Sequence, residues 1–137
     1  MSEQNVEIVR EVLDLINLSA SGEPDPRLFD LLAPDVKLDM SRRTFNPDVY
    51  QGYADLRRFR QELSEVWEDF SITHERMIDA GESVVVIETI RGRGRGSGVA
   101  VTHHQSAMIW TLGEGMVVSM EAYPDPQEAL EAVGLAE

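Results

Sequence analysis

The residue whose type and position most clearly suggest chemistry is Glu88, an acid within the apolar segment 83–90. Side chains alternate along an extended strand, so Glu88 shares one face with Val84, Val86 and Ile90. If that face is buried, desolvation raises the pKa of the carboxyl group toward the range of a working acid or base. If the register is reversed, Glu88 is a solvated acid or lies at a subunit edge. The pattern leaves both alternatives open.

Asp39 and two adjacent histidines are further candidates for proton transfer. Asp39 lies near the end of the short alternating segment 36–40, where it could abstract a proton or activate a water molecule. Its alternation with Lys37 fits an exposed acid equally well. His103 and His104 point to opposite faces of one strand, so one of them faces inward, where an imidazole would titrate near neutral pH. We predict Asp39 and His104 as the catalytic residues.

Aromatic side chains could form the walls of a ligand pocket. Each ring suits either a hydrophobic core or a cavity wall, and a tyrosine hydroxyl could also donate a hydrogen bond to a substrate carbonyl oxygen. The predicted ligand-binding residues combine four rings with the acid of the apolar strand: Tyr53, Trp67, Glu88, Trp110 and Tyr123.

The composition of the chain limits its partners. It holds 25 Asp and Glu against 12 Lys and Arg, and the formal charge of −13 disfavours nucleic acids and anionic membrane surfaces. It has no cysteine, which excludes thiolate metal sites, and its three histidines show no metal-ligand spacing. The first residues do not form a signal peptide, and no apolar run reaches membrane-spanning length. We therefore expect a cytoplasmic protein with no metal, no cofactor, and no nucleic-acid or membrane partner.

The elements that must position these residues follow from periodicity and capping signals. Helices are predicted over 5–19, from Asp25 and Pro26, over 54–69, and from Asp125 and Pro126. Strands are predicted over 36–40 and 71–78, followed by a three-stranded meander over 83–123. Strands that are grouped after helices indicate the α+β class with an antiparallel sheet.

Glycines recur at every second position between the first two strands of the meander. In an extended chain, Gly92, Gly94, Gly96 and Gly98 would share one face. A sheet face without side chains can curl sharply. A curled sheet with helices across its opening encloses a pocket.

Seven short segments, spread over nearly the whole chain, carry a family resemblance. They read NVEIVR (5–10), LAPDV (32–36), VYQG (49–52), IDAG (78–81), IWTL (109–112), YPD (123–125) and EAL (128–130). Their order resembles that of the nuclear transport factor 2-like superfamily, and within it the SnoaL-like (polyketide cyclase-like) group. The resemblance implies a single domain over residues 1–137. In the implied α+β cone, a strongly curved mixed or antiparallel sheet and three to four helices close a cavity.

The resemblance also implies a function. Relatives include cofactor-free isomerases, cyclases and hydrolases that use general acid–base chemistry, so the implied partner is a hydrophobic small-molecule ligand or substrate. Ketosteroid isomerase places its aspartate base near the position of Asp39, but the first helix here has no tyrosine, which argues against the same mechanism. A non-catalytic ligand-binding protein and a dimeric accessory protein stay open. Many relatives are homodimers through the outer sheet face, and we expect a homodimer here.

Overall fold

The computed structural model describes residues 2–18, 25–42 and 47–135, without the side chains of residues 2 and 103–105. Within these ranges the chain forms four helices and six strands. In chain order they are α1 (Ser2–Leu18), α2 (Arg27–Asp30), β1 (Leu32–Asp39), β2 (Val49–Gln51), α3 (Gly52–Val66), β3 (Ser71–Ala80), β4 (Ser83–Arg93), β5 (Ala100–Gly113), β6 (Met116–Tyr123) and α4 (Pro126–Ala132). The series contains one strand, β2, that the sequence patterns did not predict.

The six strands form one sheet in the order β2-β1-β6-β5-β4-β3. Neighbouring strands run antiparallel except β1 and β6, which pair in parallel. The sheet is curled but not closed. The predicted α+β class, with a curved mixed sheet and four helices, is therefore confirmed.

Register shifts bend the sheet near the middle of β4. In the pairing of β3 with β4, the register shifts between His74 and Arg76. In the pairing of β4 with β5, it shifts between Glu88 and Ile90. A bulge places an extra residue in one strand and increases the local bend and twist. The three strands therefore bend where Glu88 lies.

The two faces of the sheet carry separate hydrophobic clusters. The inner face, defined here as the one that α1 and α3 cover, packs Val12 of α1 with Val86 of β4 and Trp110 of β5. On the outer face, Ala129 of α4 packs with Val85 of β4. Because side chains alternate along a strand, the even-numbered positions 84–90 of β4 face inward.

Short elements and helix ends account for the differences from the predicted boundaries. β1 begins at Leu32 and includes Pro34 within a register shift, where a strand tolerates proline. β2 has only three residues, too few to show an alternating pattern. The predicted N-cap of α4 is confirmed, since Oδ1 of Asp125 accepts a hydrogen bond from the backbone N–H of Gln127 at 2.9 Å.

The glycine-rich connection between β4 and β5 is extended only at its start. Gly92 lies within β4, and Gly94 forms an isolated bridge with Trp67. Gly96 and Gly98 have φ angles of +89° and +70°, which residues with a Cβ rarely adopt. The four glycines therefore do not share one extended face, because the chain turns after Gly94.

Gly92 also provides the surface on which the ring of Trp67 rests. A Cβ at this position would lie 3.0 Å from Cε3 of Trp67, so Gly92→Ala must displace the ring. We expect the free energy of unfolding to fall by about 1–3 kcal/mol, as measured by urea titration. The matched control is Gly113→Ala, whose Cβ would meet Val118 at an ordinary 3.5 Å. Equal losses in the two variants would contradict this account of Gly92.

Candidate functional site

A cavity of about 140 Å³ lies between the helices and the inner face of the sheet. An engineered apolar cavity of about 150 Å³ in another protein binds benzene, so this volume corresponds to a single ring. Most of the lining is aliphatic or aromatic, and the lining residues are Val12, Ile16, Leu28, Phe29, Leu32, Leu38, Met40, Leu56, Phe59, Arg60, Leu63, Phe70, Ile72, Glu88, Ile90, Met108, Trp110 and Met120.

Glu88 is the carboxyl group in this lining, and its side chain is almost completely buried. The residue is 3% exposed, and Oε2 has no hydrogen-bond partner among the described residues. Burial in apolar surroundings disfavours the charged form and raises the pKa of Glu88 to about 7. Of the two orientations that the sequence left open, the structure therefore has the inward one. At neutral pH both protonation states of Glu88 are populated.

Ser106 lies directly across from Glu88 in the pairing of β4 with β5. Side chains of directly opposed residues are about 4.5–5.5 Å apart at Cβ, on the same face of the sheet. The hydroxyl oxygen of Ser106 is also buried and has no hydrogen-bond partner in the described part of the chain. Ser106 itself is not among the residues that line the cavity.

Arg60 of α3 is the second ionisable residue in the lining, and the sequence analysis did not select it. Its Nη2 is buried without a hydrogen-bond partner among the described residues, and burial lowers the pKa of the guanidinium group. The residue follows Leu56 by four positions and precedes Leu63 by three, so all three lie on one side of the helix. That spacing could have identified position 60, but a charged residue is normally assigned to the solvent side.

Trp110 of β5 also lines the cavity and was predicted as a ligand-binding residue. It is 1% exposed, and its Nε1 has no hydrogen-bond partner among the described residues. Buried polar atoms are almost always hydrogen-bonded in native proteins. Here three residues that carry such an atom without a partner, Glu88, Arg60 and Trp110, line the same cavity.

Asp39 lies outside the cavity lining. Its neighbours Leu38 and Met40 face the cavity, whereas its own carboxylate accepts a hydrogen bond from the backbone N–H of Ser41 at 2.9 Å. The Ser41 hydroxyl, which also donates to this carboxylate, and nearby Arg42 hold the pKa of Asp39 below its usual range. The geometry gives Asp39 the environment of an ionised, partly buried acid outside the cavity.

Arg42 connects Asp39 to another predicted residue. Its guanidinium lies 3.7 Å from Asp39 and 3.7 Å from Glu121, and its Cζ lies 4.1 Å from the ring centre of Tyr123. Tyr123 packs against the outer hydrophobic cluster and is not part of the cavity lining. Asp39 and Tyr123 thus come together, but away from the cavity.

The other predicted site residues have separate surroundings. The hydroxyl of Tyr53 donates to the backbone oxygens of Phe29 at 3.0 Å and Leu32 at 2.6 Å, which joins α3 to the start of β1. Trp67 rests on Gly92, outside the lining. His104 lies in β5, but its side chain falls outside the described residues. Of the predicted set, the structure brings Glu88 and Trp110 together in the cavity.

Two further features are absent from the described ranges. No group of three or more His, Cys, Asp or Glu residues there could hold a metal ion. No helix there has both the length and the apolar character needed to cross a membrane.

Comparison with known proteins identifies the family to which this architecture belongs. Residues 9–120 match the SnoaL-like domain family. The chain belongs to the SnoaL-like family. The resemblance noted in the sequence segments is therefore confirmed. No curated protein matches this SnoaL-like chain.

Solved structures show the same fold at low sequence identity. An NTF2-like protein of unknown function from Burkholderia pseudomallei is 21% identical, with a TM-score of 0.74 over 96% of this chain and 98% of that one. A protein from a Jannaschia species, assigned as a SnoaL-like polyketide cyclase, is 21% identical, with a TM-score of 0.73 over 98% and 94%. TerC, co-crystallised with polyporic acid, is 19% identical, with a TM-score of 0.74 over 95% and 98%. At these identities the likeness shows the fold alone.

Proposed function

We propose that this SnoaL-like protein is a cofactor-free acid–base enzyme of the isomerase or cyclase type. Its substrate is a small, mainly apolar molecule of about one ring with a carbonyl group. The proposal depends on a single observation: Glu88, whose carboxyl oxygen Oε2 is buried without a hydrogen-bond partner among the described residues, lines an apolar cavity large enough for one ring. Glu88 accepts a proton from the carbon next to the carbonyl and returns it at a second position.

The ionisation of Glu88 supports this role. A general base works best when its pKa lies near the working pH, because it must be deprotonated before the reaction and still bind the proton well. The pKa of about 7 meets both conditions near neutral pH. Glu88 is the one carboxyl group in the described lining, which suits a reaction in which a single group removes and returns the proton. Hydrolysis would also require a water molecule held in this largely apolar space.

The comparisons support a function that involves a small-molecule substrate or ligand, without specifying which one. One structural neighbour is assigned as a polyketide cyclase, and another was co-crystallised with polyporic acid. The volume of about 140 Å³ matches a substrate of about one ring, and a polycyclic substrate would have to extend through the open side of the cavity. The same open volume disfavours an accessory protein with a filled interior. The homodimer stays a prediction.

Deuterium exchange at the α-carbons of cyclohexanone tests the proposal, since this ketone has one ring and one carbonyl group. In D₂O near pH 7, the native protein should accelerate the exchange, followed by NMR. Glu88→Gln removes the base with little change of shape, and we expect the rate to fall at least about 100-fold. The matched carboxylate-to-amide change Asp39→Asn, outside the cavity, should leave the rate within about twofold.

Two results would contradict the assignment. Exchange that is equally fast in the native protein and in Glu88→Gln would remove Glu88 as the base. Loss of exchange in Asp39→Asn but not in Glu88→Gln would instead support the sequence-based choice of Asp39.

A non-catalytic ligand-binding protein is the second candidate. The observation in its favour is that nearly all of the described lining is apolar, with few polar groups to orient a ligand. This function predicts that cyclohexanone binds equally well to the native protein and to Glu88→Gln, with no exchange in either.

A further inference from the structure

We infer that the cavity selects an anionic ligand: a single-ring molecule whose carboxylate or other oxyanion is bound by the guanidinium of Arg60 and the indole N–H of Trp110. The inference rests on the proposed function, since it names the substrate class for the same cavity. The inference is about ligand binding, whereas the proposed role of Glu88 is proton transfer. An experiment can therefore reject one and leave the other standing.

Several arginines of this acidic chain form ion pairs with acids, whereas Arg60 forms none among the described residues. Arg58, two positions earlier on α3, lies within 4 Å of three acids, Asp48, Asp55 and Glu62. Arg42 lies near two. Within the described part of the chain no acid forms such a pair with Arg60, and burial is the cause that lowers the pKa of its guanidinium. What sets Arg60 apart from the other described arginines is that it combines this missing counter-ion with a place in the cavity lining.

A partly buried guanidinium with one nitrogen buried without a partner favours binding of an anion. Arginine stays protonated in proteins, so Arg60 cannot relieve its burial by losing the proton. A buried charge is costly unless it is paired and hydrogen-bonded. A carboxylate supplies both the opposite charge and acceptor oxygens that match the fork of N–H groups. A neutral ligand of the same shape would leave the charge of Arg60 uncompensated.

Trp110 adds a second requirement of the same kind. An indole N–H is a donor only, as are the N–H groups of arginine, so both residues need an acceptor from the ligand. The net charge of −13 repels anions at long range, so the selectivity must arise from these local donors. The volume of about 140 Å³ limits the body that carries the anionic group to about one ring.

Benzoate and benzamide provide the test, because they share a ring and a similar outline but differ in charge. Calorimetric titration near pH 7 should show that the native protein binds benzoate about 10- to 100-fold more tightly than benzamide. Arg60→Met, which keeps the length of the side chain but removes the charge, should abolish this preference. Arg60→Lys, which keeps the charge without the fork, should retain part of it.

The control is Arg76→Met, which removes the same charge from an exposed residue of β3 outside the lining. It should keep the native preference for benzoate. The inference is overturned if the native protein does not prefer benzoate, or if Arg60→Met keeps the preference while its circular dichroism is unchanged. If Arg60→Met does not fold, equal affinities of Arg60→Lys for the two ligands would overturn it instead.

The cyclohexanone assay separates this inference from the proposed function. Exchange that depends on Glu88, combined with no preference for benzoate, would leave the acid–base function standing and reject anion selection. A benzoate preference that depends on Arg60, combined with exchange that is insensitive to Glu88→Gln, would support anion selection and reject the catalytic role.

Discussion

Trp110→Ala is expected to lower the free energy of unfolding by about 3–5 kcal/mol, the range observed when large buried aromatic residues are truncated. Trp110 is 1% exposed and is the largest fully buried side chain in the described part of the protein. It belongs to the inner cluster that joins the helices to the sheet. Removal of the indole therefore breaks many packing contacts at once, and the cavity that already exists beside it gains the space. Urea titration near pH 7 measures the loss.

The enlarged cavity should also accept a larger ligand. Naphthalene, with two fused rings, should bind to Trp110→Ala and not to the native protein, and NMR titration can follow this. Trp67→Ala is the matched control, because Trp67 is only partly buried and lies outside the lining. It should cost less stability and create no naphthalene site. A larger loss in Trp67→Ala than in Trp110→Ala would contradict the assignment of Trp110 to the core.

Glu88→Gln is expected to become more stable relative to the native protein as the pH rises. The pKa of Glu88 rises from 4.5 to about 7 on folding, so between these values the folded state holds a proton that the unfolded state has released. The contribution of Glu88 to stability is thus fully present below pH 4.5 and is lost as the pH rises through 7. With 1.36 kcal/mol for each pKa unit, the loss is about 3 kcal/mol. Glutamine cannot titrate, so Glu88→Gln does not lose this stability as the pH rises.

The measurement is the difference in unfolding free energy between Glu88→Gln and the native protein, from urea titrations at several pH values between about 4.5 and 8. Asp39→Asn serves as a control whose difference from the native protein stays constant over this range, because the pKa of Asp39 lies below its ordinary value of 3.8. The folded-state pKa of Asp39 is lowered, so its contribution is present above the unfolded pKa and is lost as the pH falls. A difference for Glu88→Gln that is constant across the range would show that Glu88 is not buried as described.

Burial, partner atoms and volume together give the cavity its chemical character. Its wall is largely apolar, and the lining residues Glu88, Arg60 and Trp110 each carry a buried polar atom without a hydrogen-bond partner among the described residues. In a low-dielectric space each such atom interacts strongly with a matching ligand group. In the two proposals, Glu88 transfers a proton, whereas Arg60 and Trp110 bind the anionic group of the ligand.

Local patterns predicted those elements that are long or carry a capping signal. The apolar periodicity of α1 and the Asp125–Pro126 start of α4 each depend on neighbours in sequence, so one chain segment contains the information. β2 was missed because three residues cannot establish a period. The family resemblance was carried by short segments spread over the chain, and it led to the correct architecture.

The sequence by itself determined that Glu88 shares a face with Val84, Val86 and Ile90, because alternation is a property of any extended strand. Only the tertiary structure decided that this face is the inner one, which α1 and α3 cover. It likewise placed Arg60 in the same cavity. Whether a charged residue is buried depends on segments that are distant in sequence. A local sequence pattern does not identify the segments that cover the residue.

Asp39 is a second residue whose surroundings could not be predicted from the sequence. Its position near a strand end was visible in the sequence, but its role there depends on Arg42 and on the parallel pairing of β1 with β6, which brings Glu121 alongside. Pairing between strands so far apart in the chain is set by the packing of the whole sheet. The sequence thus determined which residues could do chemistry, and the three-dimensional packing decided which of them share a water-poor space.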